Sequence, residues 1–426
     1  MFNFINIYMK KIVLSIIFLF GVIGNSVAET VCFGDYIFKV IDDPVLSDEY
    51  GLKQSPRRYV ELTGPGPEAV ERADITIPSR FRVDGQKYRV IAIGPAAFSK
   101  NRSIERVKIG NGIKKIGGNA FESCYSLSDI RMPRSLKYVE SLALAACVSL
   151  KSVAFHRRVE SIGDRAFEFC KRLESVRLPN RLNDIGEFCF RGCHSLKSIN
   201  IPSALREIGY CMFRNCKSLE TVKLPKGLTA IRPSAFECCI SLSAINLKAN
   251  VDNIGNGAFY RCHNIKEITV SKKNRRYYAE GNCLIDKTGE SIILGCQTSV
   301  IPEGKSVKYI GSNAFSAINN LRNIVIPSNI LEIGDASFYR CYDLEDVILN
   351  DGLQKIGSLA FAYCHKLDEP DIPESVTLIE DDAFIWNKRD MPAPEINIIV
   401  ERDDGTIMNF RHEDDYDPEE QWLEDL

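Results

Sequence analysis

The sequence predicts an α/β repeat solenoid, a stack of 23-residue units with a parallel β-sheet along one face. Three observations carry this. The phrase Ile-Gly-x-x-Ala-Phe-x-x-Cys-x-x-Leu recurs down the chain at a constant step. Within each unit the apolar spacing changes from three residues to two. A proline commonly closes the two-residue alternation. Self-similarity at a fixed period decides the architecture before any local element is assigned.

With the phenylalanine of the phrase as anchor, the series reads Phe98, Phe121, Leu144, Phe167, Phe190, Phe213, Phe236 and Phe259, each 23 residues after the last. Phe315, Phe338, Phe361 and Phe384 resume the step. The interval from Phe259 to Phe315 is 56, one period plus 33 residues, so twelve repeats carry one insertion. In the unit anchored on Phe167, Leu173-x-x-Val176-x-Leu178-Pro179 alternates like a short strand. Pro179 then ends it, because proline cannot donate to a ladder. Ala166, Phe167 and Cys170 have the spacing of one helical or 3₁₀ turn. Strand plus helical turn every 23 residues fits a leucine-rich repeat, whose period runs from about 20 to 29. One unit cannot hide its apolar face, whereas a stack can. Each buried Phe, Leu or Ile contributes about 1.5–3 kcal/mol, and stability resides in the interfaces between neighbours. Asn101 and Asn387 replace the recurrent cysteine in the first and last units.

The ends differ from the repeats. Lys10 and Lys11 precede an apolar run from Ile12 to Ile23, and Ser26-Val27-Ala28 supplies the small residues of a cleavage site. Residues 1–28 therefore read as a secretory signal peptide, too short for a comfortable membrane span. Cys32 follows Glu29-Thr30-Val31, without the small residues a lipid-anchoring signal requires. No second apolar run of that length occurs, so no transmembrane segment is expected in the mature chain. At the other end, residues 413–426 hold eight acids and no base. Against a net charge of −2 for the whole chain, that leaves the remainder at +6. The body is mildly basic, and the acidic tail is expected to be disordered. Before it, Ile396–Val400, Asp403-Asp404-Gly405 and Ile407–Phe410 suggest a hairpin closing the last repeat. Residues 389–426 thus form a C-terminal cap and acidic tail.

The motif Ile-Pro-x-x-Leu-x-x-Ile-Gly-x-x-Ala-Phe-x-x-Cys-x-x-Leu resembles the BspA-like leucine-rich repeats of secreted and surface proteins of bacteria, also found in some protozoan parasites. The resemblance covers most of residues 91–388. Ile75-Thr76-Ile77-Pro78 and Gly85–Val90 look like the β lead-in of that family, giving an N-terminal β cap over 29–90. Repeats are expected over 91–271 and 305–388. Between them, residues 272–304 hold Asn282-Cys283-Leu284-Ile285, a Lys287-Thr288-Gly289 turn and Ile292–Cys296, which read as a β-hairpin insertion. The resemblance implies a secreted or cell-surface bacterial protein that binds extracellular protein or glycan. It transfers no residue-level binding motif.

Fifteen cysteines in an exported chain invite a disulfide framework. Nine of them, Cys124, Cys147, Cys170, Cys193, Cys216, Cys239, Cys262, Cys341 and Cys364, share one position of the repeat. Stacked equivalents point the same way, whereas a disulfide needs converging Cβ vectors, so these read as buried thiols. Cys283 and Cys296 lie on opposite arms of the hairpin, where a disulfide is one option and two free thiols the other. Cys193-His194, Cys262-His263 and Cys364-His365 have metal-ligand residue types. The first two pairs are three rungs apart, about 14 Å at strand spacing, beyond one coordination sphere. No nucleophile–base set, zinc-protease motif or phosphate loop occurs, so neither catalysis nor a cofactor is expected.

The outward strand positions, eight and ten residues after each anchor, carry the functional expectation. They include Arg106, Lys108, Arg131, Arg177 and Lys223 in the first half, then Glu267, Asp346, Glu369 and Asp371. Arg134, Arg157, Arg158 and Arg181, just after the strands, add to the basic end. A polarised face of this kind suits an anionic glycan or an acidic protein. Ordinary solubilising residues on a solvated sheet would look the same. Nucleic acid fits less well, given export and the lack of aromatic residues interleaved on that face. A surface scaffold without a specific ligand, and an enzyme, are the rival classes.

Overall fold

The computed structural model describes residues 29–41, 58–66, 71–368, 370–385, 397–401 and 407–411. Residues 1–28, read above as a signal peptide, Asn387 and the acidic tail lie outside the described residues.

Each rung contributes two strands and one column of linked turns. The longer strand begins eight residues after the anchor, as in Ser152–Ala154, Ser175–Arg177, Ser198–Asn200 and Thr221–Lys223, and pairs in parallel with its copy 23 residues on. Its central residue points inward (Val153, Val176, Ile199) and its flanks point out. A second, two-residue strand repeats as Lys115–Ile116, Tyr138–Val139, Ser161–Ile162 and Asp184–Ile185, again in parallel register. The chain is thus a parallel β-solenoid with two strand columns where the sequence suggests one sheet.

No helix occurs among the described residues, so the fold is all-β and the α/β expectation is corrected. The cause lies in the turn column. Residues two before and two after each anchor from Phe98 to Phe361 take positive φ, as at Arg165 (55°) and Phe169 (56°) or Asn119 and Ser123 (both 57°). A left-handed residue at every fourth position excludes a right-handed helix. The N–H groups alternate in destination. Those of Ala120, Glu122 and Cys124 bond three residues back, while those of Asn119, Phe121 and Ser123 bond to Ser141, Ala143 and Ala145 of the next rung. A helix would consume all of these donors internally. Linked turns keep the same three-residue apolar spacing and leave half the donors to join the rungs.

The core follows from the register. Phe167, Phe190, Phe213, Phe236 and Phe259 stack face to face with centroids 5.3–5.6 Å apart. Phe315, Phe338, Phe361 and Phe384 stack at 5.0–5.1 Å. Beside the rings runs the cysteine ladder. All nine thiols donate to the carbonyl oxygen 26 residues earlier, that of the anchor of the preceding rung (Leu144 in the case of Cys170), at 3.1–3.2 Å. Phe121 shows the economy of this: its carbonyl accepts the N–H of Cys124 and the thiol of Cys147. A small apolar residue with one weak donor fits a buried site that offers one spare lone pair.

Both ends of the stack are modified. Thr30–Phe33, Tyr36–Ile41 and Arg58–Pro65 form an antiparallel ribbon. Arg58–Pro65 then pairs in parallel with Gln86–Ile93, which pairs with the first two-residue strand. Asp74–Ile77 heads the column of longer strands by pairing with Arg106–Ile109. In the first rung the Asn101 carboxamide oxygen accepts the N–H groups of Ser103 and Ile104 in place of a thiol. Near the C-terminus, Asn397–Glu401 and Ile407–Arg411 form an antiparallel pair.

The insertion holds three strands, Tyr277–Glu280, Cys283–Asp286 and Ser291–Leu294, the last of which pairs in parallel with Tyr309–Ile310 and restores the solenoid. Cys283–Asp286 is fully buried and divides the core, with Leu284 in one cluster and Cys283 and Ile285 in the other. His263 bridges the division by a bond from Nδ1 to the carbonyl of Ala317. Cys283 and Cys296 are both free thiols, so the optional disulfide is not formed. Gly295 takes the anchor place of the inserted rung, its N–H bonding to Ala314 as anchor N–H groups do elsewhere. A Cβ there would lie 2.0 Å from the buried Phe315 ring.

Two outcomes follow. Gly295→Ala forces that ring off its stack and should destabilise the chain by about 1–3 kcal/mol, read as a lower urea midpoint. Burial also pushes the thiols of Cys124, Cys170 and Cys341 up to about 12, against 9.0 for a free thiol. A thiol kept protonated in the fold but free to ionise on unfolding adds stability below pH 9 that disappears as pH climbs toward 12. Thermal midpoints should therefore fall above about pH 9, and fall less steeply in Cys170→Ala.

Candidate functional site

The alternation of the longer strands places Arg106, Lys108, Arg131, Arg177 and Lys223 at exposed positions of one column, with Glu267, Asp346 and Asp371 exposed further along the chain. Glu369 lies outside the described residues. The basic members are not equivalent. Arg106 forms a two-pronged pair with Asp74 at 2.5 and 2.7 Å and also meets Glu105, and this bond holds the Asp74 carboxyl below its usual range. Arg131 lies 3.6 Å from Asp129 of its own strand. Lys108, Arg177 and Lys223 have no ion-pair partner among the described residues. The acidic end is also partly apolar, since Val325 and Ile348 are about half exposed.

The structure brings Arg177 together with the four arginines that follow the strands. An open groove of about 1000 Å³ is lined by Arg134, His156, Arg157, Arg158, Arg177 and Arg181, with Phe155, Leu178 and Pro179 among its apolar lining. All five arginines are exposed, no acid lines the groove, and none of the five has an ion-pair partner among the described residues. A smaller hollow of about 410 Å³ shares Arg157, Arg158 and Arg181 and includes Lys137 and Glu160, which pair with each other at 2.7 Å. Of the strand-face residues expected from the sequence, only Arg177 joins this cluster.

Local sequence explains the position. Where neighbouring rungs place proline after the strand (Pro133, Pro179, Pro202, Pro225), this rung has His156, and Phe155 precedes it. The same rung has Leu144 as its anchor. Leu144 leaves the aromatic column one ring short, and Phe155 lies edge-on to Phe167 at 5.9 Å and is buried. The loops carrying the arginines are tied rung to rung. Arg134 donates its N–H to the Asn111 side chain, Ser135 bonds to Ile113, and Ala204 donates to the carbonyl of Asn180. The 23-residue step sets Arg134 beside Arg157 and Arg158 beside Arg181. The next equivalents, Ser203 and Ala204, end the run on one side, and Asn111 and Gly112 end it on the other. The arginines just after the strands, Arg134, Arg157, Arg158 and Arg181, were visible in the sequence as additions to the basic end, and the absent proline was a further signal that could have located the groove.

The cysteine–histidine pairs do not converge on a metal. Cys193, Cys262 and Cys364 turn their thiols to buried carbonyls. Among the described residues no group of three or more His, Cys, Asp or Glu could hold an ion. No helix among them is long and apolar enough to cross a membrane.

Residues 91–216, 183–302 and 289–388 match the BspA type leucine rich repeat region, in six copies that span more than half of the 426 residues. The chain belongs to the BspA-type leucine-rich repeat family. Its fold is similar to that of a leucine rich cell surface protein from Faecalibacterium prausnitzii A2-165, with 26% identity and a TM-score of 0.60 over 85% of this chain and 88% of that one. It is also similar to a leucine-rich repeat protein from Bacteroides ovatus ATCC 8483, with 24% identity and a TM-score of 0.50 over 82% of this chain and 98% of that one. No curated protein matches. The family is one of repeat proteins suited to interaction and is not a known enzyme family.

Phe155 links the family's core to the groove, and this can be measured. Leu144→Phe alone should overpack and cost about 1–3 kcal/mol. Phe155→Leu alone should open a cavity and cost about 1–2 kcal/mol. The double variant restores the pattern of the neighbouring rungs, so its loss should be smaller than the two added together, giving a coupling of about 1 kcal/mol in a double-mutant cycle.

Proposed function

We propose that this chain is a secreted or cell-surface protein, exported through residues 1–28, that binds extracellular macromolecules without catalysing a reaction on them. In this reading residues 29–90 and 389–426 cap the stack, and the repeats present the binding surface. The cell surface protein from Faecalibacterium with the same fold supports the location. The observation that carries the binding role is the convergence of five arginines, none with an ion-pair partner among the described residues, on one groove without an acid in its lining. Like charges gathered on one surface repel each other, and exposed arginines contribute little to folding in return. Their concentration is therefore explained best by an anionic partner. The strand column beside the groove, with Lys108 and Lys223, extends the positive potential that would steer such a partner.

The test is retention of the purified mature chain on glycan and matrix-protein arrays at low and high salt. Retention at low salt that weakens sharply at high salt is the expected result, because exposed charges are screened over about 8–10 Å near physiological ionic strength. If no ligand is retained even at low salt, the chain is a scaffold and the binding role is wrong.

A further inference from the structure

We infer that the arginine groove takes a linear anionic polysaccharide, gripping its sulfate or carboxylate groups along three consecutive rungs. The inference rests on the binding role proposed above and adds the chemical class of the ligand.

Four features point to it. The first is the residue type. All five charged residues lining the groove are arginine, although lysine is common elsewhere on this surface. The planar guanidinium forks two parallel donors onto a sulfate or carboxylate, which an ammonium cannot do.

The second is periodicity. Arg134 and Arg157 occupy one column, and Arg158 and Arg181 the adjacent one, each pair a single repeat apart. Rungs of a parallel sheet are about 4.8 Å apart, comparable to the advance per sugar along a pyranose chain. A polymer with a charge on successive sugars meets a cation at each step. A single small anion would use only one.

The third is shape. The groove is open and runs across rungs, and Ser203, Ala204, Asn111 and Gly112 bound its charged length. The footprint is short, about 10 Å between the outer rungs, so it accommodates a short oligosaccharide segment of a longer polymer.

The fourth separates a glycan from an acidic protein. Protein interfaces centre on large, desolvated apolar anchors. The exposed large apolar side chains among the described residues, Val300, Val325 and Ile348 foremost, are elsewhere, and none lines the groove. What the groove offers besides charge is a low apolar strip, with Phe155 and Leu178 buried and Pro179 half-buried. Such a strip suits the C–H face of a sugar ring.

The experiment is titration calorimetry of the mature chain with four probes: dextran sulfate, polygalacturonate, neutral dextran and poly-glutamate. Binding of either anionic polysaccharide, with no binding of neutral dextran and at least tenfold weaker binding of poly-glutamate, is expected. The first two arms tell sulfate from carboxylate recognition. Size-fractionated oligosaccharides should gain affinity up to the length of the footprint and then level off. Replacing Arg157, Arg158 and Arg181 together by Gln should weaken binding at least thirty-fold, and by Lys at least several-fold, because charge alone does not restore the fork. Lys272→Gln with Lys273→Gln, exposed and away from the groove and the strand face, should stay within about twofold of the unaltered chain. Circular dichroism melts confirm that each variant is folded, as exposed side chains allow.

Poly-glutamate binding as tight as the sulfated polymer would assign the groove to acidic proteins and overturn the inference. An Arg157/Arg158/Arg181→Gln variant that is folded and binds unchanged would overturn it too. If the arrays retain a ligand and neither anionic polysaccharide binds, the glycan assignment falls while the binding role stands. If nothing is retained in either experiment, both fall.

Discussion

The constraint on which this structure depends is a hydrogen-bond register that pairs each residue with its equivalent 23 positions away, seen alike at Ser152 and Ser175, Tyr138 and Ser161, and Asn323 and Asp346. Once rungs are joined in that register, like must stack on like. An apolar residue at one position builds an apolar column, and a ring builds a column of rings. A polar group buried at a repeating position must find its partner in the neighbouring rung or remain unsatisfied throughout. The thiol-to-carbonyl ladder is that requirement met with the smallest available donor. The same rule explains the turn column, where every second N–H is directed to the next rung.

Much of this was legible in the sequence, because a stack writes its register as a period. The anchors, the buried face of each strand and the inward cysteines all follow from a step of 23. The helical turn did not follow, for a physical reason. Apolar residues three apart fit a helical turn and also a series of turns with a left-handed residue at every fourth position. The two differ only in the sign of φ at positions where no side chain declares it, such as Arg165, Phe169 and Leu142. Gly192, Gly257, Asn119, Asn215 and Asn313 occupy the equivalent places in other rungs and tolerate positive φ most easily. Read as a column, they carried the correction. The third strand of the insertion was hidden for another reason: Tyr277–Glu280 lies outside the period and has no repeat to reinforce it.

The site was legible residue by residue but not as a site. Alternation identified which charges face outward, yet it could not show that Arg106 is already engaged by Asp74, because those residues are 32 apart and out of phase with the repeat. Nor could it show that Arg177, on a strand, shares a groove with Arg134, Arg157, Arg158 and Arg181 from the loops. That grouping depends on the turn after each strand, which brings its residues beside the strand's outward face. The turn after the strand is the same in each rung, its N–H bonding three residues back at Leu136, Val159 and Leu182, so what differs at this rung is the side chains: His156 stands in for proline and Phe155 lies against Phe167. In a repeat protein the consensus describes the scaffold, and departures from it mark where one rung has acquired a task of its own.

A stack of this kind separates stability from recognition. The groove arginines are exposed and touch no part of the aromatic or thiol columns, so their identities can change without cost to the core. The columns in turn fix the spacing of the charges, since loops tied to their neighbours through Asn111, Ser135 and Asn180 cannot drift independently. Charges held at fixed intervals before a ligand arrives lose little freedom when it binds, and this preorganisation raises affinity without adding contacts. Burial serves the same durability from within. A thiol pushed up to about 12 presents almost no thiolate at neutral pH, and the thiolate is the form that oxidises. The ladder thus packs as a column of small, weakly donating side chains rather than as reactive groups, and as part of the core it holds the rung spacing that sets the arginines.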